Sequence, residues 1–153
     1  MNDEIKKICE KLKRENKKIV FTNGCFDILH VGHVRYLTTA KSFGDVLIVG
    51  LNNDESVKKL KGENRPINNE KDRAEVLLGL KAVDYVALFG EQTAEKLIAE
   101  VRPDVYVKGG DYTLETLPEA KIVQSYGGRV EFVKFVDGHS TTNLINMVRK
   151  NYG

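Results

Sequence analysis

The sequence is poor in cysteine, tryptophan and long apolar runs. It has two cysteines, Cys9 and Cys25, and no tryptophan. Two cysteines do not make a disulfide framework, so we expect a reducing, cytoplasmic environment. No apolar run approaches the roughly 20 residues that a membrane-spanning helix needs. The charged N-terminal stretch does not resemble a signal peptide, so we expect neither a membrane protein nor a secreted one.

A strong excess of one charge is also absent. The chain has 24 basic and 22 acidic residues, which gives a net charge of +2. Proteins that bind nucleic acid or anionic membranes usually show a basic excess or a basic stripe, so we expect neither partner. The length of 153 residues, with 41% hydrophobic and 30% charged residues, is typical of one globular domain. We expect residues 1–17 to form an N-terminal helix packed on a main unit of residues 18–153.

Short apolar runs alternate with helical patterns along the chain. Apolar runs without strict alternation are typical of strands that are buried on both faces. They occupy residues 18–24, 45–51, 83–90, 104–110 and 129–136. Helical spacing of apolar residues occurs within 2–16, 31–43, 69–82, 93–101, 115–126 and 141–150. This alternation predicts a doubly wound α/β fold, in which a parallel sheet carries helices on both faces.

The polar residues that follow the predicted strands should converge. Right-handed crossovers bring the carboxyl ends of parallel strands to one edge of the sheet, and ligands bind at that edge. The stretches NGCFD, NNDES, KGGDY and DGHSTT each follow one of the predicted strands. On the helices, we expect Val34 and Leu37 to face the core, and likewise Val76, Leu77 and Leu80.

The stretch TNGCFDILHVGH, residues 22–33, carries His30 and His33 at the start of a predicted helix. Three interpretations are open, namely metal ligands, a packing pair or donors to an anion. No Cys-x-x-Cys or His-Glu-x-x-His pattern accompanies the pair to favour a metal. A helix N-terminus offers free N–H groups and a positive dipole end to a phosphate. Gly32 between the histidines would let a ligand approach closely.

The residues before the histidines also suit a phosphate. Gly24 lets the chain turn sharply after the strand, and the amides of Cys25 and Phe26 could form a small anion-binding nest. Cys25 as a catalytic nucleophile is the alternative, and it would need an activating base.

Three further segments have both a structural and a functional interpretation. DGHSTTN, residues 137–143, looks like an N-capped helix start whose hydroxyls could also bind phosphates. KKLKGENRP, residues 58–66, is either a solvated loop or a mobile flap whose cations close over phosphates. VKGGDY, residues 107–112, is a glycine turn or a loop that binds base or phosphate. There is no GxxxxGK[ST] pattern and no GxGxxG after the first strand, which disfavours P-loop enzymes and dinucleotide oxidoreductases.

With these residues placed, the sequence resembles a known superfamily. GCFDILHVGH resembles the HxGH signature of the nucleotidyltransferases that include the cytidylyltransferases, and STT at 140–142 resembles their second motif. The longer pattern, from TNGCFDILHVGHVRYL through SVKKLKGENRPIN and PDVYVKGGDY to DGHSTTNLI, is similar to the adenylyltransferases of ADP-heptose synthesis. The likeness covers nearly everything from residue 18 to residue 150.

The resemblance implies a Rossmann-like, three-layer α/β/α fold with a five-stranded parallel sheet of order 3-2-1-4-5. It also implies that ATP and D-glycero-β-D-manno-heptose 1-phosphate react to give ADP-heptose and pyrophosphate. In many bacteria this domain follows a sugar-kinase domain, and we expect that kinase to be a separate protein here. The alternative is a cytidylyltransferase for glycerol 3-phosphate or a related polyol phosphate. Phe135 stands where those enzymes typically carry an arginine, and His139 stands where heptose relatives often have cysteine.

Site roles follow from the same resemblance. The residues implied in catalysis are His30, His33 and Lys61. The residues implied in nucleotide binding are Cys25, Phe26, His30, Gly32, His33, Lys108, Gly109, Asp111, Ser140, Thr141 and Thr142. The residues implied on the side of the sugar phosphate are Asp27, Lys58 and Arg65. We expect Mg²⁺ to be held mainly by the nucleotide phosphates, with no dedicated protein metal site. The expected partners are ATP, a sugar 1-phosphate and a second copy of the chain in a homodimer.

Overall fold

The computed structural model describes residues 3–110, 112–134 and 140–153, in which strands and helices alternate as predicted. The strands are β1 Ile19–Gly24, β2 Val46–Asn52, β3 Tyr85–Phe89, β4 Val105–Gly109 and β5 Arg129–Val133. The helices are α1 Asp3–Arg14, α2 Val31–Lys41, α3 Asp54–Lys61, α4 Glu70–Leu78, α5 Glu95–Val101, α6 Pro118–Ser125 and α7 Thr141–Tyr152. None of the helices within these ranges is both long and apolar enough to cross a membrane.

The five strands form one parallel sheet with β1 at its centre. Their order is β3-β2-β1-β4-β5, and this confirms the predicted order. Ile19 lies opposite Val46 on β2, and Val20 lies opposite Val105 on β4. The chain moves outward from β1 to β3, crosses back through α5, and continues at β4. The reversal of strand order therefore falls between β1 and β4, where such sheets bind their ligands.

Two hydrophobic clusters cover the two faces of the sheet. Ile19 and Phe21 of β1 belong to the cluster beneath α1, α5 and α6, whereas Val20 belongs to the cluster beneath α2 and α4. All three side chains are fully buried. Burial on both faces explains why the strands read as continuous apolar runs. Helix α1 contributes Ile5, Cys9 and Leu12 to the first cluster.

The predicted core faces of α2 and α4 are partly wrong. Leu37 and Leu77 are fully buried as expected, but Val34 is 43% exposed and Val76 is 52% exposed. The buried side of α4 instead includes Arg73, which is only 1% exposed. Apolar periodicity missed this side because it assigns no inward position to a charged residue.

The segment predicted as a loop at 58–66 is helical in its first half. Helix α3 ends at Lys61, and the side chain of Asn53 caps its start by accepting the Ser56 N–H at 2.9 Å. Gly62 follows with a φ of 109°, a conformation that favours glycine, so the chain leaves the helix there. Lys58 and Lys61 therefore lie one turn apart on a helix rather than on a flexible loop.

Aspartates secure the amino edge of the sheet. Asp45, Asp84 and Asp104 each lie immediately before a strand, namely β2, β3 and β4. Each carboxylate accepts a backbone N–H at or near the start of a neighbouring strand. The donors are Lys18 at 2.7 Å, Leu47 at 2.8 Å and Ile19 at 2.8 Å, respectively. These bonds satisfy backbone groups at the edge opposite to the predicted ligand edge.

Candidate active site

A cavity of about 760 Å³ lies at the carboxyl edge of the sheet. Segments that follow all five strands contribute to its lining, which confirms the predicted convergence. The predicted site residues that line it are Cys25, Phe26, Asp27, His30, Gly32, His33, Lys61, Arg65, Lys108, Gly109, Ser140, Thr141 and Thr142.

Four other residues singled out in the sequence either do not line the cavity or lie outside the described part of the chain. Lys58 is not among the lining residues, although Lys61 one turn later on α3 is. Asp111 and His139 lie outside the described residues, as does Phe135. Their implied roles, and that of Lys58, stay predictions.

The two histidines form the N-terminus of α2. His30 is the N-cap, and its Nδ1 accepts the Gly32 N–H at 3.1 Å. The Nδ1 of His33 accepts the His30 N–H at 3.3 Å, so the two side chains cap the helix reciprocally. Their rings lie 4.1 Å apart between centroids. The histidine pair therefore has a structural task as a helix cap, and the anion-binding task predicted for the same pair stays a prediction.

His33 is a neutral hydrogen-bond donor at neutral pH. Burial, together with the neighbouring His30, lowers the pKa of His33 to about 4. Because its Nδ1 accepts a backbone N–H, the hydrogen of the neutral ring lies on Nε2. The ring also packs against Phe26 with 5.4 Å between centroids, which fixes its orientation. His33 therefore presents an N–H group without the cost of burying an imidazolium.

Tyr36 holds α2 against the sheet beneath the histidines. Its hydroxyl lies 2.7 Å from the Thr22 hydroxyl on β1 and donates to the Val107 carbonyl on β4 at 3.2 Å. Burial raises the pKa of Tyr36 to about 12, so the hydroxyl keeps its proton. One side chain thus ties the helix to both strands that flank the reversal of strand order.

The turn after β1 has a strained backbone. Phe26 has a φ of 45°, in the left-handed region that non-glycine residues rarely adopt. A Cβ on Gly24 would lie 2.9 Å from Cε2 of the Phe26 ring, so the ring position depends on glycine there. Left-handed backbone is one part of the geometry in which successive amides form an anion-binding nest. The nest at Cys25 and Phe26 stays a prediction.

The Cys25 thiol is a poor candidate for a nucleophile. Burial raises its pKa, and this outweighs the opposing effect of the cations of Lys61 and Arg73. The thiol is therefore protonated at neutral pH. Its carbonyl has a defined structural partner, since it accepts a hydrogen bond from Arg73 at 2.8 Å.

Arg73 joins four segments around the cavity. Its guanidinium is fully buried and pairs with the carboxylate of Asp54 at the start of α3, at 2.7 Å. It also donates to three backbone carbonyls, those of Cys25 at 2.8 Å, Asn52 at 2.8 Å and Asn68 at 2.9 Å. The planar guanidinium has enough donors to satisfy all four acceptors at once. Sequence reasoning missed it, although an arginine four positions before the buried Leu77 is a signal that was available.

Asp27 positions the segment that follows α3. Its carboxylate accepts the Ile67 N–H at 2.9 Å and the Asn68 N–H at 2.9 Å, and it is only 5% exposed. In return the Asn68 side chain donates to the Asp27 carbonyl at 2.9 Å. These bonds anchor the chain just beyond Arg65, whose side chain lines the cavity. Asp27 thus organises the wall of the site, and a contact with substrate stays a prediction.

Helix α7 brings a second N-terminus to the cavity. The Ser140 side chain caps it by accepting the Asn143 N–H at 3.0 Å. The Thr141 hydroxyl donates to the Ile28 carbonyl at 3.1 Å, which ties α7 to the loop before α2. Two of the three predicted hydroxyls therefore have structural partners, and the positive end of a second helix dipole faces the same cavity.

Basic side chains complete the electrostatics of the cavity. Lys61 and Arg65 line one side, and Lys108 at the end of β4 lies over the Tyr112 ring, 5.3 Å from its centroid. Burial lowers the pKa of Lys108, partly offset by the charge of Glu119. Two helix N-termini and three cations make a site for a highly charged anion such as a polyphosphate.

The described residues provide no cluster of three histidine, cysteine, aspartate or glutamate side chains that could hold a metal ion. The Asp27 carboxylate, which lines the cavity, is engaged by backbone amides. The absence of a dedicated protein metal site stays a prediction.

Comparisons with known proteins agree with this geometry. The chain is 56% identical over 151 residues to the bifunctional protein HldE of Geobacter metallireducens, a match that covers 99% of this chain and 31% of that protein. It is 58% identical over 151 residues to the bifunctional protein HldE of Aliarcobacter butzleri, covering 97% of this chain and 30% of that protein. The chain thus spans about a third of the length of these curated relatives.

A solved structure shares both fold and sequence. The lipopolysaccharide core biosynthesis protein from Thermoplasma volcanium is 32% identical, with a TM-score of 0.62, over 78% of this chain and 97% of that one. The model of the cytidylyltransferase-like family matches residues 21–150. That range includes the turn after β1, both capped helix N-termini and every cation of the cavity named above. The chain belongs to the cytidylyltransferase-like family.

Proposed function

We propose that the protein is a nucleotidyltransferase that joins ATP and D-glycero-β-D-manno-heptose 1-phosphate to give ADP-heptose and pyrophosphate. The observation that carries the proposal is the meeting of two capped helix N-termini, α2 and α7, in one cation-lined cavity. The choice of substrates rests on the similarity to HldE proteins and on the shared motifs. In these relatives the matching segment is about a third of a bifunctional protein.

The chemistry needs no general base. A phosphate oxygen of the sugar 1-phosphate is already largely ionised near neutral pH, and it attacks the α-phosphorus of ATP. The new phosphorus–oxygen bond forms as the bond to the bridging oxygen breaks, and pyrophosphate leaves with that electron pair. The residues must therefore align the two phosphates and stabilise the negative charge that develops on the α-phosphate and the leaving group.

The side chains of the cavity suit these tasks. His33 donates from Nε2 as a neutral group, and the amides at the start of α2 and α7 add donors without side-chain entropy cost. Lys61, Arg65 and Lys108 supply positive charge. Mg²⁺ carried by the nucleotide phosphates would neutralise part of their charge, since it keeps few protein ligands.

One assay tests this proposal. The protein is incubated with each nucleoside triphosphate and a panel of phosphorylated sugars and polyols, including glycerol 3-phosphate, and released pyrophosphate is measured. We expect release with ATP and the heptose 1-phosphate. His33→Ala should lower kcat at least ~10²-fold, the scale for losing one donor to a developing oxyanion. Release with CTP and glycerol 3-phosphate alone, or a folded and fully active His33→Ala protein, would contradict the proposal.

We also propose a cytoplasmic homodimer. Helix α7 has no buried side chain, and Met147, Val148 and Tyr152 are 61%, 54% and 87% exposed. A second copy of the chain would cover this apolar surface. Sedimentation velocity tests the proposal, and a monomer at micromolar concentration would contradict it.

A further inference from the structure

Glu119 on α6 is a buried carboxylate that the reaction described above does not use. It is only 5% exposed and lines the cavity. One oxygen, Oε1, accepts the Ala94 N–H at the start of α5 at 3.3 Å. The other oxygen, Oε2, is buried and has no hydrogen-bond partner within the described part of the chain. A buried carboxylate oxygen without a partner is costly, because it has lost its water without replacement.

One cation and several uncharged polar side chains lie near Glu119. The cation is Lys108, since the charge of Glu119 raises its pKa against the effect of burial. Gln92 and Thr93, just before Ala94, line the same cavity, as does Asn23 at the end of β1. The Tyr106 hydroxyl donates to Oδ1 of Asn23 at 2.5 Å, which leaves the NH₂ group of that amide as a donor. Acceptors and donors therefore line this part of the cavity together.

Charge decides which part of a ligand can lie beside Glu119. A carboxylate repels phosphate oxygens, so the phosphates belong at the helix N-termini and cations. Glu119 therefore faces an uncharged group that donates hydrogen bonds, either a sugar hydroxyl or the amino group of a nucleobase. Short amide and hydroxyl side chains beside a carboxylate are better suited to a polyhydroxylated ring.

We infer that Oε2 of Glu119 accepts a hydrogen bond from a hydroxyl of the acceptor sugar and so helps to select that substrate. The inference rests on the proposed function and adds to it a residue that recognises the sugar. Asn23 and Gln92 supply donors to neighbouring hydroxyl oxygens. Oε1 accepts the Ala94 N–H at the start of α5. This bond fixes the orientation of the carboxylate, and therefore the position of Oε2, before a ligand binds.

Steady-state kinetics of Glu119→Gln test this inference. Glutamine has the same shape, keeps an oxygen for the Ala94 N–H and replaces the acceptor at Oε2 with a donor. We expect KM for the heptose 1-phosphate to rise about tenfold or more, the scale for one hydrogen bond to a charged group. We expect KM for ATP to stay within about twofold. Glu115→Gln is the matched control, because Glu115 is an exposed glutamate just before α6 and outside the cavity lining, and it should behave as wild type.

Two results would overturn the inference. A rise in KM for ATP with an unchanged KM for the sugar phosphate would place Glu119 beside the nucleobase. If neither KM for ATP nor KM for the heptose 1-phosphate changed, Glu119 would only cap α5 and would not recognise the sugar.

Calorimetric titration of the heptose 1-phosphate in the presence of α,β-methylene-ATP, which cannot transfer its nucleotidyl group, separates this inference from the proposed function. Sugar binding that is weakened by Glu119→Gln, without pyrophosphate release from ATP by the wild type, would contradict the function and support the inference. If the wild type releases pyrophosphate and Glu119→Gln leaves KM for the sugar phosphate unchanged, the function is supported and the inference is contradicted. If the wild type binds no sugar phosphate, the inference is wrong.

Discussion

Replacing Arg73 with methionine removes the guanidinium that joins four segments of the site, while it keeps most of the aliphatic stem. The side chain is fully buried, and the Asn52 carbonyl that it contacts lies in the interior as well. The carboxylate of Asp54 is 35% exposed, so water can hydrate it once the partner has gone. The carbonyls of Cys25 and Asn52 would lose a buried donor.

The expected loss of stability follows from these groups. Each buried carbonyl left without a donor costs about 1–3 kcal/mol. Because water can hydrate the 35% exposed Asp54, the cost comes mainly from the two carbonyls, which together cost about 2–6 kcal/mol. We therefore expect Arg73→Met to lower the free energy of unfolding by about 2–6 kcal/mol. For a chain of this size that corresponds to a fall in Tm of about 4–24 °C.

Urea unfolding monitored by circular dichroism measures the change, and Arg129→Met is the matched control. Arg129 pairs with Glu131 at 2.9 Å, but its side chain is 54% exposed. An exposed ion pair contributes at most about 1 kcal/mol, so the control should change little. An Arg73→Met protein within about 1 kcal/mol of wild type, at an unchanged m-value, would refute the assignment of Arg73 as the group that holds the site together.

Three further predictions concern the cavity itself. Because burial holds the pKa of His33 at about 4, below its usual 6.5, the unfolded chain binds the proton first as pH falls. The free energy of unfolding should therefore decline between pH 6.5 and 4 more steeply for wild type than for His33→Gln in urea titrations, and equal slopes would contradict this. Lys61→Ala should lower kcat/KM about tenfold or more with little change in Tm. Lys59→Ala, at an exposed position of the same helix outside the cavity lining, should resemble wild type, and equal losses would argue against a role for Lys61 in the reaction. Gly24→Ala places a Cβ 2.9 Å from the Phe26 ring, so nucleotide affinity measured by calorimetry should fall, and unchanged affinity would separate this turn from the nucleotide site.

The strands could be predicted because strands that are buried on both faces appear in the sequence as continuous apolar runs. Residues 18–24 read as one apolar run, and Ile19–Gly24 is a strand with partners on both sides. The convergence of the polar segments followed from the handedness of crossovers alone. The cavity could therefore be located from the sequence before any distance was known.

Other features depend on contacts that no local pattern records. Arg73 bonds the carbonyl of Cys25, 48 positions earlier in the chain. Its burial is favourable only because three carbonyls and a carboxylate meet around it. Glu119 was missed for the same reason, since a glutamate on a short helix usually faces solvent.

Helix α3 was overlooked although its own residues signal it. Asn53 is a favourable N-cap, Asp54 and Glu55 lie in the first turn, and lysines fill the last turn. The charged composition and the following glycine gave the impression of a loop. Placing Lys61 on a helix means that its backbone is fixed relative to the sheet, and only its side chain has to adjust to a ligand.

The aspartates at the amino edge of the sheet bear on how this chain could be redesigned. Asp84 and Asp104 fasten neighbouring strands at the end remote from the cavity. The register of the sheet is thus maintained by residues that do not line the cavity. A library randomised at Gln92 and Thr93, which line the cavity, could accordingly vary the cavity while strand pairing, and with it the yield of folded protein, is preserved.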